Sequence, residues 1–166
     1  MSKYYITQNI KNCIGCRACE AHCKSKNDAG EGAYFCKIMT VGPREINGRP
    51  AMDFVYMSCF HCEKPWCVEA CPTGAMQRRD TDGIVFVNQD LCVGCKACMT
   101  ACPWCVPQWN PRTGKVAKCD LCMDRLDQGL KPACVTKCVT GCLQLTTPSQ
   151  ASEARRQEVA EQMLRP

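Results

Sequence analysis

Large apolar side chains are scarce in this sequence. Leu, Ile, Val and Phe number 28 of 166 residues, about 17%, and a share below roughly 20% normally belongs to chains that cannot build a core. No apolar run approaches the ~18 residues of a membrane span, so direct insertion into a bilayer is not expected. The stretch Met1-Ser2-Lys3-Tyr4-Tyr5-Ile6-Thr7-Gln8-Asn9 has neither an apolar h-region nor a twin-arginine pair, and the expectation is a soluble, cytoplasmic protein. Polybasic tracts are missing too: 21 basic and 16 acidic residues, net +5, are spread along the chain, which argues against nucleic acid as a partner. No glycine-rich loop stands ready to cradle phosphate, and no Cys-x-x-Cys-His offers a covalent haem site. The length suits one compact domain or two small ones.

What the chain has is cysteine, 19 of 166 residues. At about 11% this is the level of a cross-linked scaffold. Disulfide scaffolds belong to secreted chains, and an odd number of thiols in a reducing compartment argues for ligation instead. Sixteen of the cysteines fall into four groups. Group one is Cys13, Cys16, Cys19 and Cys23, spaced C-x2-C-x2-C-x3-C. Group two is Cys59, Cys62, Cys67 and Cys71, followed by Pro72. Group three, Cys92, Cys95, Cys98 and Cys102, has the spacing of group one and is followed by Pro103. Group four is stretched: Cys119 and Cys122, then Cys134 and Cys138.

Three thiolates at i, i+3 and i+6 wrap three corners of one cube, while the fourth begins a helix and points away. In two-cluster bacterial ferredoxins that fourth Cys of the C-x2-C-x2-C-x3-C-P run ligates the other cluster. Zinc competes for C-x2-C pairs but leaves the third Cys and the Pro without a reason. The expected cofactors are therefore four [4Fe-4S] clusters. Each oxidised cluster with its thiolates carries roughly −2, turning the formal +5 into roughly −3 for the assembled protein. Groups two and three, separated by a short hairpin, should exchange fourth ligands, and groups one and four should pair across the chain. The expected sets are Cys59, Cys62, Cys67 with Cys102; Cys92, Cys95, Cys98 with Cys71; Cys13, Cys16, Cys19 with Cys138; and Cys119, Cys122, Cys134 with Cys23. Cys36, Cys105 and Cys142 are expected to be small buried hydrophobes and not ligands. Nothing supplies a general base, an oriented nucleophile or an open metal position, so the chain is not expected to be catalytic alone.

The fold class read from these patterns is α+β, with short helices at the x3-Cys ends and β-hairpins between groups. One hairpin joins Ala75–Arg78 to Ile84–Val87 through Asp80-Thr81-Asp82-Gly83; another joins Lys37–Val41 to Ala51–Val55. Two ferredoxin-like lobes are expected, one from residues 1–58 plus 108–147 and one from 59–107. A helical tail over 148–166 follows, with Ser149 as its cap and Val159 and Met163 on one face. His22 and His61 read as orienting or surface residues. Trp66, Trp104 and Trp109 read as shields against water, and Lys115, Lys118, Arg125, Lys131 and Lys137 as a solvated face.

The stretches Cys59-Phe60-His61-Cys62-Glu63-Lys64-Pro65-Trp66-Cys67, Cys71-Pro72-Thr73-Gly74-Ala75, Cys92-Val93-Gly94-Cys95-Lys96-Ala97-Cys98 and Cys119-Asp120-Leu121-Cys122-Met123-Asp124-Arg125-Leu126 resemble the four-cluster electron-transfer subunits of molybdenum and tungsten oxidoreductases. The resemblance covers about residues 4–146; Val139 departs from it, standing where Pro commonly follows the last Cys. It implies single-electron relay between a large metal-pterin catalytic subunit and an external acceptor or a flavoprotein subunit. A tungsten-containing aldehyde oxidoreductase is the first expectation. Formate dehydrogenase or hydrogenlyase, another reductase, a free-standing polyferredoxin and a structural zinc module are the alternatives. A relay open at both ends also admits head-to-tail self-association into repeating arrays.

Overall fold

A computed structural model describes residues 3–164. Residues 1–2 and 165–166, the outer ends of the expected first and last segments, lie outside the described residues. The chain is α+β, built from two-stranded antiparallel sheets and short helices. Strand β1 (Tyr5–Gln8) leads through a 3-10 turn at Ile10–Asn12 to helix α1 (Ala18–Asn27). Strands β2 (Cys36–Ile46) and β3 (Arg49–Ser58) form the longest hairpin, turning at Asn47-Gly48 with both residues at positive φ, as a twisted two-residue turn requires.

The middle of the chain holds α2 (Trp66–Glu69), the hairpin of β4 (Met76–Arg78) with β5 (Val85–Val87), and α3 (Ala97–Ala101). A further hairpin, β6 (Gln108–Asn110) with β7 (Lys115–Ala117), has no counterpart among the sequence expectations. Then come α4 (Met123–Leu126), α5 (Ala133–Thr136), β8 (Leu143–Thr146) and α6 (Pro148–Met163). Strand β8 returns to pair with β1, Gln8 opposite Leu143 and Tyr5 opposite Thr146, so the two ends of the cysteine-bearing region close on each other.

Two apolar clusters hold the molecule. The first gathers Cys19, Cys23, Phe35, Cys36, Ile38, Tyr56, Cys119, Cys134, Val135, Cys142 and Leu143; six of these eleven are cysteines, so sulfur supplies what the aliphatic residues do not. The second is Met76, Val85, Cys98 and Val116, with Trp109 packed against it. The β6–β7 hairpin therefore contributes Trp109 and Val116 to the middle segment.

Helix α6 starts earlier than expected. Thr147, not Ser149, is its cap: the Thr147 hydroxyl accepts from the Gln150 amide while the Gln150 side chain accepts from the Thr147 amide, with Pro148 as the first helical residue. None of its described residues is buried.

Candidate metal centres

Each of the short helices near the ligand groups starts one residue before the third cysteine of its group: Ala18 before Cys19, Trp66 before Cys67, Ala97 before Cys98 and Ala133 before Cys134. The x3 spacing then sets the fourth cysteine about one turn further on. Ahead of each helix the chain forms a loop with backbone in the left-handed region. In groups one and three this loop has the same form, Gly15 and Arg17 matching Gly94 and Lys96 at positive φ. Both glycines are pressed against a hairpin aromatic: a Cβ at Gly15 would meet Phe54 at 2.6 Å, and one at Gly94 would meet the Gly114 carbonyl at 2.2 Å and Trp109 at 2.9 Å. Groups two and four share another form. The His61 amide donates to the Cys59 sulfur and the Leu121 amide to the Cys119 sulfur, each at 3.4 Å.

All nineteen thiols are free of disulfides. Those of group four at Cys119, Cys122 and Cys134 are buried, as are Cys19, Cys23 and Cys98, whereas Cys16 and Cys95 are exposed. Burial pushes the Cys67 thiol up to about 11, with Cys59, Cys102 and Cys98 nearby adding to the rise against Lys118. It pushes Cys98 up to about 11, with Cys71, Cys92 and Cys95 nearby. Cys19 rises to about 12 by burial, with Cys134 and Cys138 in range. Cys134 rises to about 11 by burial, with Cys23 and Cys122 adjoining it and the Tyr56 hydroxyl opposing the shift. Cys119 is held well up by burial, then by Cys59. Without a cation these buried thiols stay protonated, and binding iron is what would ionise them.

The donor set also bears on which metal group fits. Thiolates on one zinc ion, at Zn–S of about 2.3 Å, crowd to roughly 3.8 Å from one another. Among the described residues no three His, Cys, Asp or Glu side chains gather as one ion requires.

Three residues have surroundings that the sequence did not reveal. Lys118, expected on a solvated face, is buried at 5% exposure; its ammonium donates to the Val85 and Cys119 carbonyls and lies 3.5 Å from the Cys59 sulfur. His61, expected as orienting or at the surface, is buried and orienting: its Nδ1 accepts from the Val85 amide at 3.0 Å, and its Nε2 lies 4.0 Å from the Cys119 sulfur. Burial, with Lys118 beside it, lowers the imidazole to about 3, so it is neutral. Cys142 lies 3.5 Å from Cys138, sulfur to sulfur. Of the other spare thiols, Cys36 is buried, donates to the Cys19 carbonyl and is hydrogen-bonded with the Cys23 side chain, while Cys105 is exposed and not the buried residue expected. Trp66 and Trp104 are exposed, Trp104 against Phe60, and Trp109 lies under the Lys96 ammonium at 4.1 Å.

A 4Fe-4S dicluster domain family matches residues 50–147, and a second 4Fe-4S dicluster domain matches residues 12–75. The chain belongs to the 4Fe-4S dicluster family. Its sixteen grouped cysteines suit two such domains, and this dicluster protein carries four [4Fe-4S] clusters. It is 43% identical over 144 residues to a thiosulfate reductase electron transfer subunit of Salmonella typhi, covering 86% of this chain and 74% of the relative. It is 42% identical over 144 residues to a component of the anaerobic dimethyl sulfoxide reductase of Escherichia coli, covering 82% and 70%. With a component of the polysulfide reductase of Wolinella succinogenes the identity is 41% over 143 residues, covering 85% and 74%. Like the Salmonella typhi relative, the dicluster protein is an electron-transfer component of an oxidoreductase complex and not a catalyst alone. No helix among the described residues is long and apolar enough to cross a membrane.

Proposed function

We propose that the sixteen grouped cysteines hold the four clusters in crossed sets, and that these sets form one line through the molecule. Cys13, Cys16 and Cys19 with Cys138 make the first set; Cys119, Cys122 and Cys134 with Cys23 the second; Cys59, Cys62 and Cys67 with Cys102 the third; Cys92, Cys95 and Cys98 with Cys71 the fourth. The neighbours of Cys19, Cys134, Cys67 and Cys98 named above support each crossing. When bound, each cluster takes up and releases a single electron.

The observation that carries the line is the junction in its middle. Lys118 reaches from the second set to the Cys59 sulfur of the third, and His61 reaches from the third towards the Cys119 sulfur of the second. Exposed Cys16 and Cys95 belong to the sets at the two ends, so those ends are what partners can approach. Two lobes follow from the same sets, with the boundary after residue 117 instead of 107, because Trp109 and Val116 pack with Met76, Val85 and Cys98.

One end would meet a large metal-pterin catalytic subunit and the other an acceptor or flavoprotein subunit. The relatives named above favour a reductase of sulfur-containing substrates as the holoenzyme. The tungsten-containing aldehyde oxidoreductase, first choice on family resemblance, is the second reading, and head-to-tail arrays of the subunit would form through the exposed ends. Native mass spectrometry with metal analysis of the purified complex tests all of these. About 16 iron per molecule with a molybdenum-pterin partner is expected; tungsten selects the second reading, and a partner without any metal-pterin group overturns the assignment.

A further inference from the structure

Two turns of this protein are built alike. After Cys71 the chain runs Pro72-Thr73-Gly74-Ala75 into β4, and after Cys138 it runs Val139-Thr140-Gly141-Cys142 into β8. Gly74 and Gly141 both sit at φ +65, and their amides donate to the Cys71 and Cys138 carbonyls at 3.3 and 3.1 Å. The Thr73 hydroxyl lies 3.7 Å from the Cys71 sulfur, the Thr140 hydroxyl 3.9 Å from that of Cys138. Each cysteine also accepts a backbone hydrogen bond from the first residue of the following strand, Met76 and Leu143. The matched positions differ twice: Pro72 is Val139 in the second turn, where neither side chain carries a donor, and Ala75 in the first turn is Cys142 in the second.

The second difference puts a thiol where the first turn has a methyl group. Cys142 is 5% exposed, its sulfur is 3.5 Å from that of Cys138, and Cys13 lies in its electrostatic range. A cysteine bound to iron has lost its proton and can only accept. With Cys138 in that role, as the crossed sets require, Cys142 must be the donor. Hydrogen bonds to ligand sulfur stabilise the more negative, reduced state and so raise the reduction potential.

We propose that Cys142 is a positioning residue whose thiol donates a hydrogen bond to the Cys138 sulfur and raises the potential of the cluster held by Cys13, Cys16, Cys19 and Cys138. The inference rests on the ligand sets proposed above. It makes the two ends of the line electrically unequal: the end at group one has this extra donor and the end at group three does not.

Anaerobically purified holoprotein and its variants, analysed for iron and sulfide and then titrated potentiometrically by EPR, provide the test. Cys142→Ala installs the residue that the matched turn already tolerates. It should keep about 16 iron and move one of the four midpoints to a more negative value. Cys142→Ser, which retains a donor, should restore that midpoint. Ala75→Cys should move a different midpoint in the positive direction. Full iron with unmoved midpoints in Cys142→Ala or Ala75→Cys overturns the inference and leaves the ligand sets standing. A shift that Cys142→Ser does not restore assigns the effect to packing and overturns it as well. Loss of about four iron in Cys142→Ala makes Cys142 a ligand, and then the proposed sets fail too.

Discussion

Lys118 brings a positive charge into the interior, where carbonyl oxygens and the Cys59 sulfur receive it. A cation so placed favours extra negative charge on the groups either side of it, and little water is present to screen it. Replacing Lys118 by Met should leave iron near 16 per molecule and shift two of the four midpoints negative, those of the sets meeting at the junction. Redox titration checks this, and four unmoved midpoints would assign Lys118 a packing role only. Asp82 gives a different kind of prediction. Burial pushes its carboxyl up, but hydrogen bonds from the Arg79 guanidinium and the Ile84 amide outweigh this and hold it below the usual range. A depressed carboxyl contributes stability above its unfolded value of about 3.9, and that contribution is lost as pH falls through the native value. Asp82→Asn should therefore cost about 1–3 kcal/mol at neutral pH and flatten the acid dependence below about pH 4. Denaturant unfolding of both proteins across that range measures it.

Among the elements, the glycine loops are held most tightly by their surroundings. Gly94→Ala forces a left-handed alanine onto the Gly114 carbonyl and Trp109, adding overpacking of about 1–3 kcal/mol to a conformational cost of roughly 1–2 kcal/mol. Gly74→Ala has the same sign of φ, with nothing within 4 Å of the added Cβ, so only the conformational cost applies. Loss of iron is expected from the first variant and full iron from the second; equal iron in both would show that the aromatic contact does not shape the loop. Local patterns make several elements legible in the sequence. Both expected hairpins form because Asn47-Gly48 and Asp80–Gly83 are turn residues between β-branched runs. The helices differ from expectation: they start one residue before the third cysteine instead of at the fourth, because the ligand loop closes there, at left-handed Arg17 and Lys96 in groups one and three. The cap of α6 lies two residues before the expected one because Ser149 is suitable only when read alone, whereas the signal resides in Thr147-Pro148 with Gln150 three residues on. Thr147→Ala should reduce helix stability by about 1 kcal/mol without altering iron content, as read by far-ultraviolet circular dichroism.

Across the whole molecule, what sequence could not show is what long-range closure decides. The pairing of β1 with β8, the burial of Lys118 and the meeting of Cys142 with Cys138 join segments whose local patterns give no sign of one another or depend on a turn's final shape. The cysteine spacing was legible because ligation itself is periodic. Closure also governs stability. With cysteine forming most of the larger apolar cluster, bound iron contributes folding free energy, as structural metals do in proteins with small cores. Chelation of iron under anaerobic conditions should abolish the cooperative thermal transition and near-ultraviolet circular dichroism together. A sharp transition in the iron-free protein would contradict this.

The β1–β8 pairing also imposes a timetable during synthesis. A polypeptide emerging from the ribosome N-terminus first presents Cys13, Cys16 and Cys19 well before their proposed fourth ligand Cys138 and the strand β8 that pairs with β1. The smaller apolar cluster, Met76, Val85, Cys98 and Val116, is complete once residue 116 has emerged. The site of Cys13, Cys16 and Cys19 thus closes only after more than a hundred further residues have been added. Iron and sulfur bound at this end before then would rest on three of the four proposed ligands, without the pairing that joins Tyr5–Gln8 to Leu143–Thr146.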